Sequence, residues 1–128
     1  MQRSRLAVAS LLLLSACGGG AGAAASCVAP RLVTLSPEHG PARTAVSMTV
    51  QFLHEGCNDT TGAHEERPRT VPVYFTQQHV ETPVGTMTGA GRLYTATLRF
   101  DVPATATRGP AVLSLGTEHE VIGRFTVG

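Results

Sequence analysis

The densest group of reactive side chains falls between residues 54 and 66, which read His54-Glu55-Gly56-Cys57-Asn58-Asp59-Thr60-Thr61-Gly62-Ala63-His64-Glu65-Glu66. Imidazole nitrogens and carboxylate oxygens are ligands for borderline divalent metals, and a thiolate adds a soft donor. A metal centre drawn from this stretch would use His54, Asp59 and His64. The competing reading is a solvated loop in which Cys57 is bridged to another cysteine and Asn58-Asp59 makes an Asx-type turn. Spacing favours the loop. No methionine follows His64 before Met87, so the close Cys, His, Met run of a copper-binding β-sandwich is absent, and no paired-cysteine zinc spacing occurs. No cofactor is expected, and the metal loop stands as the alternative.

Nucleophilic chemistry has less support. There is no Gly-x-Ser-x-Gly elbow, and Cys57 with His54 would form a working pair only if the thiol were free and the imidazole turned toward it. His39, His79 and His119 sit among turn residues and read as surface positions. The expectation is a protein that is not an enzyme.

Whether Cys57 is free depends on the compartment, and the start of the chain speaks to that. Arg3 and Arg5 precede an apolar run over residues 6–14 broken only by Ser10, and small residues lead to Cys17. This is the three-part layout of a secretory signal peptide. The run is roughly half of the ~20 residues that a membrane-crossing helix needs.

Leu14-Ser15-Ala16-Cys17 resembles the lipobox of a bacterial lipoprotein signal peptide. The resemblance implies that residues 1–16 are removed and that Cys17 carries a diacylglyceryl group as the first residue of the mature chain. It also places the protein on the extracytoplasmic face of the cell membrane, with the bilayer as its first partner. Buried acyl chains contribute about 0.8 kcal/mol per CH₂, and two or more give stable anchoring. With Cys17 assigned to lipid, Cys27 and Cys57 become an even pair in an oxidising compartment, where a disulfide is the default expectation.

Residues 17–26 carry no charge and no large side chain beyond Cys17 itself, and read as a Gly/Ala-rich tether. Nine residues of such coil reach roughly 15–18 Å. Residues 27–128 are one domain, large enough for a core and too short for two. All ten basic residues of the chain are Arg. Beyond the leader, eight Arg face nine acidic groups without clustering, which argues against a nucleic-acid surface. An envelope protein or glycan remains the open class of partner.

The elements that would position these residues are strands. Residues 31–35 form a first strand ended by Ser36-Pro37. In residues 45–53, Val46, Met48, Val50 and Phe52 alternate with polar neighbours, the pattern of a half-buried strand. Val71, Val73 and Phe75 define a third, with Pro72 placing it at an edge or marking its start. Residues 79–88 hold a weak fourth, interrupted by Pro83 and Gly85. Residues 92–102 put Tyr94, Ala96, Leu98, Phe100 and Val102 on one face, and residues 110–115 and 120–127 complete a set of about seven. Such short strands between regular turn signals, with no amphipathic helical window, read as a β-sandwich.

Ser36-Pro37-Glu38-His39-Gly40-Pro41, followed by the alternating run from Thr44 to Val50, resembles the opening of an IPT/TIG domain. Val102-Pro103 with residues 108–115, and Phe125-Thr126-Val127, resemble that family's last two strands. The resemblance implies an immunoglobulin-like sandwich used for binding or spacing, and supplies no catalytic residues. Gln51-Phe52 stands where the family usually has a glycine, and the cysteine pair and the residue 57–69 loop are further departures. Of the six aromatic residues, Tyr74 alone is expected to face away from the core, toward a partner or the outer side of its sheet.

Overall fold

The structure is a computed structural model that describes residues 27–57 and 66–128. The leader, Cys17, the tether, Asp59 and His64 lie outside the described residues. No helix of the described residues is long and apolar enough to cross a membrane.

Among the described residues ten strands follow in order: β1 (Arg31–Ser36), β2 (His39–Gly40), β3 (Ala45–Gln51), β4 (His54–Glu55), β5 (Arg67–Pro68), β6 (Thr70–Gln77), β7 (Val80–Thr88), β8 (Ala96–Asp101), β9 (Gly109–Leu115) and β10 (Glu120–Val127). Three of these are two-residue pieces, so the seven longer strands match the number expected. The fold is an immunoglobulin-like β-sandwich. One sheet has the order β1-β3-β8 and the other β2-β10-β9-β6-β7, while β4 and β5 pair alone.

The first strand is divided between the two layers. β1 pairs antiparallel with β3 as far as Ser36; beyond the cis Ser36-Pro37 bond, His39 and Gly40 run parallel to Thr126 and Val127 of β10. The Ser-Pro sequence that ends the first strand is thus the crossover between layers, and β2 stitches the sheets together at that edge.

Alternation places one side of each strand in the shared interior. Val46, Met48 and Val50 from β3 and Phe100 from β8 meet Val71, Val73 and Phe75 from β6, Leu113 and Leu115 from β9 and Phe125 from β10, all buried. The Phe75 and Phe125 rings lie 6.3 Å apart at 59°, a tilted contact suited to aromatic quadrupoles. Each fully buried side chain of this size contributes about 1.5–3 kcal/mol over leaving it in water.

Pro72 lies at the start of a central strand rather than at a sheet edge, because β6 runs between β9 and β7. The β6–β9 ladder begins at Val73 with Leu115, and Pro72 contributes its carbonyl oxygen to Gly116 N at 2.9 Å, so its missing N–H falls beyond the ladder. The segment with Pro83 and Gly85 is the longest strand, nine residues, and not a broken one. It tolerates both because it is an edge strand and because a bulge between Val73 and Tyr74 absorbs the extra residue.

Residues 92–95 depart from the expected strand. Ala90 and Thr95 close a bridge around them, Tyr94 N donates to Gly91 O at 3.2 Å, and regular pairing with β3 starts only at Ala96. Tyr94 therefore leaves the face shared by Leu98 and Phe100. Tyr74 does lie on the outer side of its sheet, where its ring sits 5.6 Å from that of His119, whose Nδ1 is 3.0 Å from Glu81 Oε2.

Candidate functional site

The segment after β3 turns sharply at Phe52, whose φ of 64° is a conformation that bulky residues rarely adopt. The turn is held from both sides. Phe52 N and Leu53 N donate to Leu93 O and Tyr94 O at 2.9 and 3.0 Å, and Leu53 O accepts from Arg69 N at 2.9 Å. Leu53 is fully buried, and His54 after it is buried as well. Gly89 makes room for this: a Cβ there would overlap the Leu53 carbonyl oxygen. The 89–95 turn can consequently close on residues 52–54 and carry Tyr94 with it.

Tyr94, itself at φ 47°, lays its ring over His54 with centroids 4.9 Å apart and 17° between planes. Phe52 borders the same imidazole at 6.3 Å. After His54 and Glu55, Gly56 takes a φ of 77° that an L side chain would resist, and this delivers Cys57 back toward the imidazole.

Cys27 and Cys57 are joined in a disulfide, their Cα atoms 4.9 Å apart. His54 Nδ1 stands 3.2 Å from Cys57 Sγ, and its Nε2 lies 3.3 Å from the Val28 carbonyl oxygen. A carbonyl can only accept, so the hydrogen-bond network assigns a proton to Nε2 and leaves Nδ1 facing the sulfur. Glu66 Oε2 is 3.5 Å from the same Nδ1. Cys27, His54 and Cys57 bring one ligand-type atom each within 4.8 Å of one another. The exposed Arg67–Glu55 contact at 2.9 Å spans the β4–β5 ladder beside them and is worth at most about 1 kcal/mol.

The reading of residues 54–66 as a solvated loop is corrected at its first residue. His54 is a buried strand residue whose side chain is 6% exposed, and it faces the cysteine pair. The expected disulfide is present. The ligand set His54, Asp59 and His64 is represented among the described residues by His54 alone. Cys57 and His54 do face each other, but the sulfur is bonded to Cys27 and carries no thiol. Tyr94, Val28 and Glu66 are neighbours that sequence reasoning missed. Only Glu66 lay within the stretch that drew attention.

A separate cleft lies elsewhere. It has about 160 Å³, is lined by Phe75, Gln77, Val80, Pro103 and Thr107 among others, and offers no ionisable group. It sits by the far end of β6 from Arg69, and is smaller than the roughly 300–1,000 Å³ of ligand pockets. Searches against protein families, curated proteins and solved structures found no match for the chain.

Proposed function

We propose that the chain is a lipid-anchored module of the bacterial cell envelope. Its immunoglobulin-like domain is held at the extracytoplasmic face of the membrane through Cys17, and it acts by binding or spacing and not by catalysis. The observation that carries the reading is Leu14-Ser15-Ala16-Cys17 closing a short apolar run behind Arg3 and Arg5. The disulfide supports it, since Cys27–Cys57 belongs to an oxidising compartment and leaves Cys17 as the remaining cysteine. The IPT/TIG resemblance supports a binding or spacer role, with an envelope protein or glycan as the class of partner.

The test is metabolic labelling of the full chain with an alkyne-bearing palmitate in a bacterial host. Label on the parent chain and none on Cys17→Ser is the expected outcome, together with accumulation of the unprocessed precursor under globomycin, which blocks the lipoprotein signal peptidase. A parent chain that matures without label, or whose processing ignores globomycin, overturns the anchor.

A further inference from the structure

We propose that the Cys27–Cys57 bond is reducible in function and that the reduced site, with Cys27 Sγ, Cys57 Sγ and His54 Nδ1 as ligands, binds a thiophilic d¹⁰ cation, Zn(II) or Cu(I). The Glu66 carboxylate lies beside the same nitrogen, at 3.5 Å. The inference is independent of the lipid anchor.

The imidazole carries the argument. His54 is buried, and its Nε2–H is committed to the Val28 carbonyl oxygen at 3.3 Å. A metal-binding histidine is usually held this way, with the distal N–H on a backbone carbonyl and the other nitrogen's lone pair aimed at the cation. Here Nδ1 faces the Cys57 sulfur at 3.2 Å and the Glu66 carboxylate at 3.5 Å, and once the disulfide is reduced the same nitrogen stands beside two thiols, where a cation bound between the sulfurs and Nδ1 would take all three as ligands.

Distances agree with that placement. Around a tetrahedral cation with metal–sulfur bonds of about 2.3 Å and metal–nitrogen or metal–oxygen bonds of about 2.0–2.1 Å, nitrogen and sulfur stand roughly 3.5 Å apart, and nitrogen and oxygen roughly 3.4 Å apart. His54 Nδ1 is already 3.2 Å from Cys57 Sγ and 3.5 Å from Glu66 Oε2. Cys27 Sγ must both part from Cys57 Sγ, to roughly 3.8 Å, and draw in toward His54 Nδ1, to roughly 3.5 Å, from a cluster whose atoms now lie within 4.8 Å of one another. The surrounding frame is stiff: Tyr94 covers the imidazole, and residues 52–53 are tied by backbone hydrogen bonds to residues 69, 93 and 94.

The chemistry balances with a protein dithiol as reductant. Its thiolate attacks one sulfur of the Cys27–Cys57 bond, its second thiol resolves the mixed disulfide, and two electrons and two protons pass to leave Cys27 and Cys57 as thiols while the donor becomes a disulfide. Metal uptake then expels those two protons and forms two metal–sulfur bonds and one metal–nitrogen bond.

The experiment uses the full chain carrying Cys17→Ser and no affinity tag, oxidised or reduced with a phosphine under anaerobic conditions, and titrated with Co(II), Zn(II) or Cu(I). Expected is one Co(II) per reduced chain with thiolate-to-cobalt charge-transfer absorption, displaced by Zn(II) or Cu(I), and no such band in the oxidised chain. Which of the two displaces at the lower free concentration identifies the preferred cation. Zn(II) should also move the ¹⁵N resonance of His54 Nδ1 in the parent chain, a readout that needs no variant. His54→Gln should weaken binding at least about 100-fold with the oxidised fold retained, whereas His64→Ala and Asp59→Asn should leave it nearly unchanged. Absence of the charge-transfer band, an unmoved Nδ1 resonance, or a reduced chain that unfolds and is not refolded by metal overturns the proposal. Dependence on His64 or Asp59 equal to that on His54 also overturns it, in favour of a loop site.

Discussion

The ring of Tyr94 stacks on the ring of His54 at 4.9 Å, although His54 lies in the short strand β4 and Tyr94 in the turn before β8, with no strand pairing between them. The contact exists because Leu53 N donates to Tyr94 O and because Gly89 allows the two backbones to approach. Tyr94 thereby shields an imidazole that would otherwise end the core at an open edge.

Removing that cover should cost more than removing its hydroxyl. Tyr94→Ala is expected to lower the stability of the oxidised protein by about 2 kcal/mol, from lost ring area plus a stacking contribution of about 0.5–1.5 kcal/mol. Tyr94→Phe, which keeps the ring, should fall within about 0.5 kcal/mol of the parent. Urea denaturation of the three proteins measures the difference; equal losses for both variants would show that the ring face contributes nothing.

Two nearby glycines separate steric overlap from backbone conformation. A Cβ at Gly89 meets the Leu53 carbonyl, so Gly89→Ala must push apart the turn and the strand end, at an expected cost of about 2–3 kcal/mol. Gly91 has a φ of 72° but open space around it, and Gly91→Ala should cost about 1–2 kcal/mol from conformation alone. Gly89→Ala should also weaken the Tyr94–His54 contact, visible as a shift of the His54 ring protons by NMR, and Gly91→Ala should leave those protons in place.

The disulfide closes a loop between residues separated by 30 positions. Reduction in the presence of a chelator, which keeps any metal from substituting for the bond, should remove about 3–4 kcal/mol of stability by enlarging the unfolded ensemble. Urea midpoints of oxidised and reduced protein in the same buffer check this. An unchanged midpoint would mean that the unfolded chain is already restricted across residues 27–57.

What the sequence disclosed and what it concealed divide along range of interaction. Alternation over Val46, Met48 and Val50, or over Phe125 and Val127, states which side of a strand is inward because the signal is local. Pro83 and Gly85 made β7 look interrupted, since an edge position and a bulge are properties of the whole sheet. His54 misled for the same reason. The residues that follow it in sequence are polar, whereas Tyr94, Val28 and Cys27, which lie around it, arrive from distant segments through hydrogen bonds and a disulfide that no period predicts. The disulfide was legible once Cys17 was set aside; its alignment with an imidazole was not.

The position of that disulfide also fixes how the domain would bear load. Residue 27 lies just ahead of β1, an edge strand held by hydrogen bonds to β3 alone. Tension drawn through such a strand from its end unzips the rungs singly, beginning with Arg31 and Gln51. The bridge from Cys27 to Cys57 diverts part of the pull past β1, through a covalent bond, to the segment that follows β4. A domain tugged from its amino-terminal side would thus be gripped at two places in its chain, and its weakest edge would not be the first thing to give.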